Sequence, residues 1–574
     1  MQAIEKEQKP LHLPAWLYIA GLLLLKSIYV LSTLEPIDFQ SLLYSLFALA
    51  PVLFFISFSF LLPQRKSHKY LLVMNFVFSL ILFIDAVYAR SFGRLISLHM
   101  LGATNVLNDL GSSIRSLLRV RDFLLFVDLP VLAWLFAKNR FKLPLRRVPL
   151  FFAAFGLATA LMLGNYVRLE HYKLLGNYKM LPLYMSPIGN HIYDLYRLTQ
   201  DRAEELTPER VEVIADWHDD NARFLSPEIE YRSLAGSLKG KNLIIIQFES
   251  LENFLIDKEI LGNEITPNLN ALLDSSLYFS DVIEQVKDGN SSDAELIFNT
   301  SMYPIADGSA FLRFGENVYN SLPKILGESG YTSVAIHGDD AEFWNRNTVF
   351  PKLGFTRYID ETQFTIAEQM GMGISDEALF GQSLHEIRSL PEPYNFFIIT
   401  ISSHIPFELP EEQKHLTFAE ENISTDYLQS IRYVDEAFGR FYRALEQEGI
   451  LDNAALVIYG DHEGIHKYYK TDLPDNHKQV PFIVHAPGLP SLEITNPGGQ
   501  IDMMPTLLYL LGADQKLYED TVMGRNLLGK FSGSPVLPTG ELAAPADGWD
   551  LLQEALKISD YSIRGKFYER FVME

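Results

Sequence analysis

The segment Asn242-Leu-Ile-Ile-Ile-Gln-Phe-Glu-Ser250 joins a run of mainly apolar side chains directly to a carboxylate. A run without polar alternation is typical of a strand with both faces buried, as in parallel sheets covered by helices. Ligands of such sheets bind at the carboxyl ends of the strands, which is where Glu249 stands. The segment therefore predicts an α/β domain whose functional site includes Glu249.

Four further runs of strand length follow along the chain and alternate with helical patterns, at residues 332–337, 395–401, 455–459 and 481–485. This alternation favours a mostly parallel sheet covered by helices. Two helix starts are indicated, one where Thr266 precedes Pro267 and one where Ser375 precedes Asp376.

Polar side chains follow three of these runs. Glu249 ends the first, His404 follows the run at 395–401, and Asp461 and His462 follow the run at 455–459. One carboxylate at a strand end means little because strand ends are exposed, but several on one edge indicate a site. Two carboxylates and an imidazole suit a borderline divalent cation such as Mn²⁺ or Zn²⁺.

A fourth polar segment, Asp288-Gly-Asn-Ser-Ser-Asp-Ala-Glu-Leu296, is a glycine-containing turn that opens a helix. A serine at a helix N-terminus lies among free N–H groups, which favour both a phosphate and a developing alkoxide. The same pattern also describes an ordinary N-terminal cap, which explains most Ser-x-x-Glu sequences. From this segment alone, nucleophile and cap both stay open.

The first 170 residues contain five apolar stretches, and a bilayer-spanning helix needs about 20 apolar residues. The stretches cover residues 14–34, 42–62, 70–89, 123–137 and 148–167. The fourth is short and carries Asp128. A cleaved signal peptide before a soluble protein is disfavoured by the repetition. Lys26, Asp85 and Asp128 inside these stretches mark either an ion path or, the simpler reading, polar residues that face the bundle interior.

The orientation of this five-helix transmembrane bundle follows from its short loops, because loops rich in Lys and Arg stay in the cytoplasm. Lys and Arg precede the first stretch and lie between the second and third and between the fourth and fifth, whereas the loop after the first has none. We therefore expect the N-terminus inside and everything beyond about residue 168 outside the cell. Residues 90–121 carry five Arg on the outer side and are expected to lie along the lipid headgroups.

Composition agrees with several units in different surroundings. The chain has 574 residues, more than one core usually organises, and 48% of them are hydrophobic. Residues 1–200 hold 20 Lys and Arg against 10 Asp and Glu, net +10, and the remainder holds 28 against 61, net −33. So acidic a domain is a poor nucleic-acid binder. The absence of cysteine excludes disulfides, thiolate metal sites and a cysteine-derived formylglycine.

The predicted domains are a transmembrane domain at 1–168, a helical connector at 169–239, a catalytic domain at 240–534 and a C-terminal tail at 535–574. The tail is expected to hold a short helix near residues 549–558.

Seven short motifs share one order and spacing with a known family. They are Phe248-Glu-Ser250, Gly289-Asn-Ser-Ser-Asp-Ala-Glu295, His337-Gly-Asp339, Phe343-Trp-Asn-Arg346, Ser403-His-Ile-Pro-Phe407, Tyr459-Gly-Asp-His-Glu-Gly464 and Gly498-Gly-Gln-Ile-Asp-Met-Met-Pro505. Through them the whole chain resembles the lipoteichoic acid synthase family of phosphoglycerol transferases, membrane enzymes with an extracellular sulfatase or alkaline-phosphatase-like domain.

The resemblance implies roles for named residues. Glu249, Asp461 and His462 would be ligands of a divalent cation, Mn²⁺ first, with Mg²⁺ or Zn²⁺ as alternatives. The family's threonine nucleophile, which also touches the metal, falls on Ser291. The chain departs from the family there, and the adjacent Ser292 leaves the choice of hydroxyl open. The expected head-group contacts are His337, Phe343, Trp344, Arg346 and His404, and His404 would also position or protonate a leaving oxygen.

The implied reaction moves phosphoglycerol from phosphatidylglycerol to a glycerol hydroxyl of a glycolipid or a growing glycerophosphate chain, through a glycerophosphoryl-serine. The implied location is the cell membrane of a Gram-positive-type bacterium. A phosphoethanolamine transferase or another phosphodiesterase of the same fold is the first alternative, and a non-catalytic membrane scaffold is the second. Initiation and elongation of the polymer are not distinguished.

Overall fold

The computed structural model describes residues 14–34, 49–92, 95–97, 118–138, 140–141, 147–174, 185–200, 206–306, 308–366 and 368–572. Of helical residues 91–92, 167–174, 197–200 and 571–572 it describes only the backbone. The chain forms two compact units with their boundary near residue 201.

The first unit is helical. Its helices are α1 (Ala15–Leu34), α2 (Leu49–Ser57), α3 (Gln64–Phe92), α4 (Asp128–Ala137), α5 (Arg147–Leu174) and α6 (Pro187–Gln200), with 3₁₀ turns at Phe58–Leu61 and Val120–Phe126. Among the described residues, α1, α3 and α5 are long and apolar enough to cross a membrane. They coincide with the first, third and fifth predicted stretches.

The other two predicted stretches are less complete. The described part of the second is Leu49–Leu61, and residues 42–48 lie outside the described residues. The fourth divides into a 3₁₀ turn and the ten-residue α4, which begins at Asp128. Ten residues of α-helix span about 15 Å, half of a bilayer core. The count of five spans therefore stays a prediction.

The polar residues inside the apolar stretches pair with one another. Lys26 Nζ lies 2.7 Å from Asp128 Oδ1 and also donates to Ser79 Oγ at 2.7 Å. Asp85 lies 2.9 Å from Nε2 of His191 in α6. Such pairing is what buried ionisable groups need in an apolar surrounding. It favours the simpler reading, in which these residues hold helices together.

The second unit is built on a sheet. Its strands are β1 (Asn242–Phe248), β2 (Glu259–Ile260), β3 (Asn263–Glu264), β4 (Ser276–Phe279), β5 (Val282–Ile283), β6 (Thr332–His337), β7 (Arg357–Ile359), β8 (Gln369–Met370), β9 (Gly373–Ile374), β10 (Tyr394–Ile399), β11 (Ala454–Gly460), β12 (Phe482–His485), β13 (Leu492–Ile494) and β14 (Gly498–Gly499).

Eight of these strands form one sheet in the order β13-β4-β12-β11-β1-β10-β6-β7. Every adjacent pair is parallel except the two that contain β12. All residues of β1, β10 and β11 are buried, as expected of central strands with covered faces. The predicted mostly parallel sheet is therefore confirmed.

Helices cover this sheet and connect its strands. They are α7 (Pro208–Ala222), α8 (Pro267–Leu273), α9 (Ser291–Thr300), α10 (Ala310–Arg313), α11 (Leu322–Gly327), α12 (Arg346–Leu353), α13 (Asp376–Ile387), α14 (Ile423–Gln447), α15 (Ile465–Tyr468), α16 (Met503–Leu511), α17 (Trp549–Arg564) and α18 (Glu569–Val572). Both predicted helix starts are found, and at α13 the Ser375 hydroxyl accepts the N–H of Ala378.

The sheet differs from the sequence prediction in three respects. The run at 481–485 becomes β12, which is antiparallel to its neighbours. The predicted strand at 395–401 ends at Ile399, because the N–H of Ile401 donates to Asp376 Oδ1 and so leaves the sheet. The short edge strands β7 and β13, and β4 next to β13, were not predicted, since their apolar runs are too short to stand out.

Segments that precede and follow the sheet domain in the sequence pack against each other. In the connector helix α7, Trp217 Nε1 donates to the carbonyl of Leu551 at 3.0 Å, and His218 Nε2 lies 3.1 Å from the Tyr568 hydroxyl. The C-terminal helix α17 extends to Arg564, six residues beyond the predicted end, and buries Leu552.

Candidate functional site

Glu249 and Asp461 are neighbours because their strands are in register. Phe248 of β1 pairs with Gly460 of β11 in a parallel ladder, so the next residue of each strand emerges at the same edge. His462 follows at once, and its Nε2 lies 3.6 Å from Glu249 Oε1 and 3.6 Å from Asp461 Oδ2. One ligand atom from each of these buried residues lies within 4.8 Å of the others. The three form a site that can hold a metal ion.

The turn after β11 aims both adjacent side chains inward. Asp461 Oδ1 accepts the N–H groups of His462 and Ser250, each at 2.8 Å. The side chain of Gln500 donates to the backbone carbonyl of Asp461 at 2.6 Å and so also restrains this turn. His462 Nδ1 donates to the carbonyl of Glu463 at 2.8 Å, because a carbonyl can only accept. The lone pair of His462 therefore lies on Nε2, directed at the carboxylates.

The charges of this cluster fit a divalent cation. Asp461 Oδ2 is buried and has no hydrogen-bond partner among the residues that the structure describes. Burial and the facing Glu249 raise the pKa of Asp461 well above its usual range, and burial raises the pKa of Glu249. Burial also lowers the pKa of His462, which keeps its imidazole neutral. A cation would allow both carboxylates to ionise and would take up the free oxygen.

Ser291 lies beside this cluster and Ser292 does not. Ser291 is the first residue of α9, and its Oγ donates to Glu249 Oε2 at 3.1 Å. The fully buried Ser292 Oγ instead donates to the carbonyl of Gly289 at 2.8 Å and lies 3.0 Å from Ser309 Oγ. The cap position belongs to Asn290, whose side chain makes no cap hydrogen bond. The geometry thus separates the two hydroxyls that the sequence left open.

The turn before Ser291 requires glycine at position 289. A Cβ there would lie 2.3 Å from Asp293 Oδ1 and 2.6 Å from Ser292 Oγ. Asp293 Oδ2 accepts the N–H groups of Lys287 and Gly289 and so closes the turn. The absence of a side chain at Gly289 therefore lets the start of α9 fold back on itself.

Arg346 is held by a residue that the sequence reasoning missed. It is 1% exposed, and its Nε and Nη2 bind Glu295 of α9, Nη2 at 2.6 Å from Oε1. Within the described part of the chain, Arg346 Nη1 is buried without a hydrogen-bond partner. The guanidinium lies 5.9 Å from the Phe343 ring centroid. The available signal was spacing, since Glu295 stands four residues after Ser291 and shares its helix face.

The remaining predicted contacts are also buried at this edge of the sheet. His337 ends β6 and its Nδ1 donates to the carbonyl of Ile399 at 2.9 Å. Trp344 is 5% exposed and has φ 56, a left-handed conformation unusual for a large side chain. His337 pairs with Ile399 in the parallel ladder of β6 and β10, so it lies beside the end of the strand that leads to His404.

His404 is half-buried and has one ring nitrogen available. Its Nδ1 donates to the carbonyl of Ile405 at 2.7 Å, which leaves Nε2 as an acceptor. Burial lowers the pKa of His404, partly opposed by the nearby Asp461. A neutral imidazole with a free Nε2 is suited to accept a proton.

Comparisons with known proteins cover both units. The family model "Lipoteichoic acid synthase N-terminal domain" matches residues 1–206, and the model "Sulfatase" matches residues 241–513. The chain is 30% identical over 514 residues to lipoteichoic acid synthase 1 of Bacillus subtilis (strain 168), covering 82% of this chain and 80% of that protein. It is 28% identical over 499 residues to the lipoteichoic acid synthase of Staphylococcus aureus (strain NCTC 8325 / PS 47), covering 81% and 76%.

A solved structure agrees with these matches. The lipoteichoic acid synthase LtaP from Listeria monocytogenes superposes with a TM-score of 0.52 at 27% identity, over 62% of this chain and 97% of that chain. The similarity therefore extends from the apolar N-terminal helices to the sheet that carries Glu249, Asp461 and His462. The chain belongs to the lipoteichoic acid synthase family of enzymes.

Proposed function

We propose that the chain transfers phosphoglycerol from phosphatidylglycerol to a glycerol hydroxyl of a glycolipid or a growing glycerophosphate polymer, with Ser291 as the nucleophile. Family membership supports the class of reaction. The observation that carries the assignment of Ser291 is the 3.1 Å contact between its Oγ and Glu249, a member of the buried cluster with Asp461 and His462.

Glu249, Asp461 and His462 are the proposed metal ligands, with Ser291 Oγ as a fourth. Mn²⁺ is the proposed cation, and Mg²⁺ and Zn²⁺ are the alternatives, because a set of two carboxylates, an imidazole and a hydroxyl suits all three to different degrees. A bound divalent cation lowers the pKa of an adjacent hydroxyl and stabilises negative charge on phosphate oxygens.

The proposed reaction is a double displacement. In the first half, Ser291 Oγ forms a bond to phosphorus and the phosphorus–oxygen bond to diacylglycerol breaks. The proton that Ser291 loses is balanced by the proton that the departing diacylglycerol oxygen takes up. In the second half, an acceptor glycerol hydroxyl transfers its proton to His404 Nε2 and attacks the same phosphorus. The bond from phosphorus to Ser291 Oγ breaks, and His404 passes its proton on to that oxygen.

The head group is proposed to contact His337, Phe343, Trp344, Arg346 and His404. Since Glu295 occupies two nitrogens of Arg346, the free donor for the substrate is Nη1. The ion pair also cancels the net charge of Arg346. Its contribution to binding is therefore an oriented hydrogen bond more than a net positive charge.

The membrane unit is proposed to cross the bilayer five times and to place the second unit outside the cell. The apolar helices α1, α3 and α5 and the distribution of Lys and Arg support this placement. The reaction exchanges one phosphate ester for another, with diacylglycerol as the leaving group. It therefore needs no ATP, which suits an extracellular site.

The test uses the full chain, purified in detergent, with Mn²⁺ and fluorescent phosphatidylglycerol, with and without glycolipid acceptor. Wild type and Ser292→Ala are expected to release diacylglycerol, and Ser291→Ala is expected to lose at least about 10³-fold in rate, as loss of a nucleophile commonly costs. Ser292→Ala is the matched control because its hydroxyl contacts Gly289 and Ser309 instead of the cluster.

Equal diacylglycerol release by wild type and Ser291→Ala would remove Ser291 from the mechanism. The same assay is run with fluorescent phosphatidylethanolamine. Diacylglycerol release from that lipid but not from phosphatidylglycerol would favour the phosphoethanolamine transferase alternative. The length of the glycerophosphate product separates initiation of the polymer from its elongation.

A further inference from the structure

We propose that Lys467 is a positioning residue for the nucleophile. Through its hydrogen bond to Asn290 it fixes the turn that presents Ser291, and its ammonium group places a positive charge beside the metal-binding cluster. The identity of the reaction in which it acts rests on the proposed function, but the positioning itself does not.

The contact that carries this proposal joins two segments far apart in the chain. Lys467 lies in α15, five residues after the proposed ligand His462, and its Nζ donates to Asn290 Oδ1 at 2.8 Å. Asn290 immediately precedes Ser291. One hydrogen bond therefore links the loop of a metal ligand to the turn of the nucleophile.

The backbone of Asn290 needs such a restraint. Its φ of 44 and ψ of −117 are outside the regions that residues other than glycine favour. An asparagine at the start of a helix usually caps the helix with its side chain, and here it does not. Its Oδ1 binds Lys467 instead, so the turn is held from the opposite loop.

The charge of Lys467 reaches the cluster. Burial lowers the pKa of Lys467, and the nearby carboxylates of Glu284 and Asp461 oppose that shift. Within the described residues, Lys467 Nζ forms no ion pair with a carboxylate at 4.0 Å or less, whereas Arg346 is fully paired with Glu295. The ammonium form of Lys467 is therefore favoured by carboxylates that lie near it without forming a direct ion pair. An anionic phosphodiester arriving between two carboxylates would benefit from that charge.

The chain offers a matched control in Lys478, eleven residues further on. Its Nζ lies 3.4 Å from Glu284 Oε1 and 3.3 Å from Glu463 Oε2 and is half-exposed. It shares the acidic surroundings of Lys467, but its described hydrogen bonds do not include Asn290. Removal of Lys478 changes the net charge equally without releasing the turn.

The experiment compares the variants Lys467→Met, Lys467→Arg, Asn290→Gly, Lys467→Met with Asn290→Gly, and Lys478→Met in the full-length chain. We expect Lys467→Met to lower kcat for diacylglycerol release by about 30-fold, about 2 kcal/mol, with KM and the Kd for Mn²⁺ changed less than three-fold. Lys467→Arg should recover most of kcat, and Lys478→Met should stay within three-fold of wild type. The double variant should lose less than the product of the two single losses, because both act through one contact.

Hydrogen exchange followed by mass spectrometry gives a readout that needs no substrate. Amides in the peptide covering residues 288–294 should exchange about ten-fold faster in Lys467→Met than in Lys478→Met or wild type, because opening of the turn is no longer restrained. If wild type releases no diacylglycerol, the proposed function fails and hydrogen exchange alone decides the positioning role.

Unchanged exchange at 288–294 in Lys467→Met overturns the proposal. So does a kcat within three-fold of wild type in an otherwise active enzyme, which leaves the proposed function intact. A loss that appears equally in Lys478→Met, or only together with weaker Mn²⁺ binding, would also overturn it, since general electrostatics or damage to the metal site would then be the cause.

Discussion

The two carboxylate oxygens of Asp461 have different surroundings. Oδ1 accepts two backbone N–H groups, whereas Oδ2 is buried, lies 3.6 Å from His462 Nε2 and has no hydrogen-bond partner in the described ranges of the chain. The first oxygen fixes the orientation of the side chain, and the second is directed at the position proposed for the cation. An oxygen held in this way costs stability unless a cation or proton binds it.

This cost predicts that the effect of substituting Asp461 on stability has opposite signs without and with a bound cation. After treatment with a chelator, Asp461→Asn should be more stable than wild type by about 1–2 kcal/mol, because Asp461 must take up a proton to be buried beside Glu249 without a cation, whereas asparagine is already neutral. With saturating Mn²⁺ the order should reverse, since wild type gains more binding energy. Thermal unfolding with and without Mn²⁺ measures both. The same stability order in both conditions would argue against Asp461 as a ligand.

The ion pair between Arg346 and Glu295 gives a second prediction at this scale. Glu295→Gln should destabilise the second unit by about 3–5 kcal/mol, because it leaves a buried guanidinium without a charged partner. The double variant Glu295→Leu with Arg346→Met should recover much of that stability and remain inactive. Urea unfolding and diacylglycerol release separate the two effects. An active double variant would exclude Arg346 from head-group binding.

At the scale of elements, α9 combines several parts of the proposed site. It begins with Ser291 and presents Glu295 one turn later, so the nucleophile and the residue that orients Arg346 move as one rigid body. All ten residues of α9 are buried, which is unusual for a segment with two carboxylates. Its burial fixes the position of Ser291 relative to Glu249, which directly follows β1.

The contact between α7 and the C-terminal helices predicts a pH dependence. Burial lowers the pKa of His218 to about 4, and its ring lies between the carbonyl of Val522 and the Tyr568 hydroxyl. In the unfolded chain, His218 binds a proton near pH 6.5. The contribution of neutral His218 to the free energy of unfolding should therefore be fully present above pH 6.5 and be lost as the pH falls toward 4, by roughly 3 kcal/mol in total. His218→Gln should lose this part of the pH dependence. Urea midpoints from pH 7 to pH 4 measure it, and parallel curves for both proteins would contradict it.

At the scale of the whole molecule, the two parts of the sequence differ in charge as they differ in environment. Residues 1–200 carry a net charge of +10, and the rest carries −33. A membrane unit benefits from cations beside anionic lipid headgroups, whereas a strongly acidic surface keeps a water-exposed unit soluble. The same acidity repels an anionic lipid, so a cation bound at the proposed metal site would have to offset that repulsion locally.

The proposed orientation in the membrane can be tested cleanly because the chain has no cysteine. Glu412→Cys, in an exposed turn of the second unit, should react with a membrane-impermeant maleimide in intact cells. Lys66→Cys, at the exposed start of α3, should react only after permeabilisation. The reverse labelling pattern would contradict the placement of the catalytic unit outside the cell.

The sequence alone determined the features that depend on local pattern. The continuous apolar run before Glu249 predicted β1 and the mostly parallel sheet, and the lengths of apolar stretches predicted α1, α3 and α5. These predictions succeed because burial of consecutive residues constrains a strand or a membrane helix directly, whatever the rest of the chain does. The motif around Asp461 and His462 indicated candidate metal ligands, because both residues follow a buried strand, and their role as ligands stays a prediction.

Only the tertiary structure decided contacts between residues distant in the chain. It distinguished Ser291 from Ser292, joined Arg346 to Glu295 across 51 positions, and joined Lys467 to Asn290 across 177. It also showed that β12 is antiparallel to its neighbours, although its apolar run resembles those of the mutually parallel strands β1, β10 and β11. Each of these features depends on strand register and on how helices pack. The residues next to a side chain in the sequence do not determine which distant segment will pack against it.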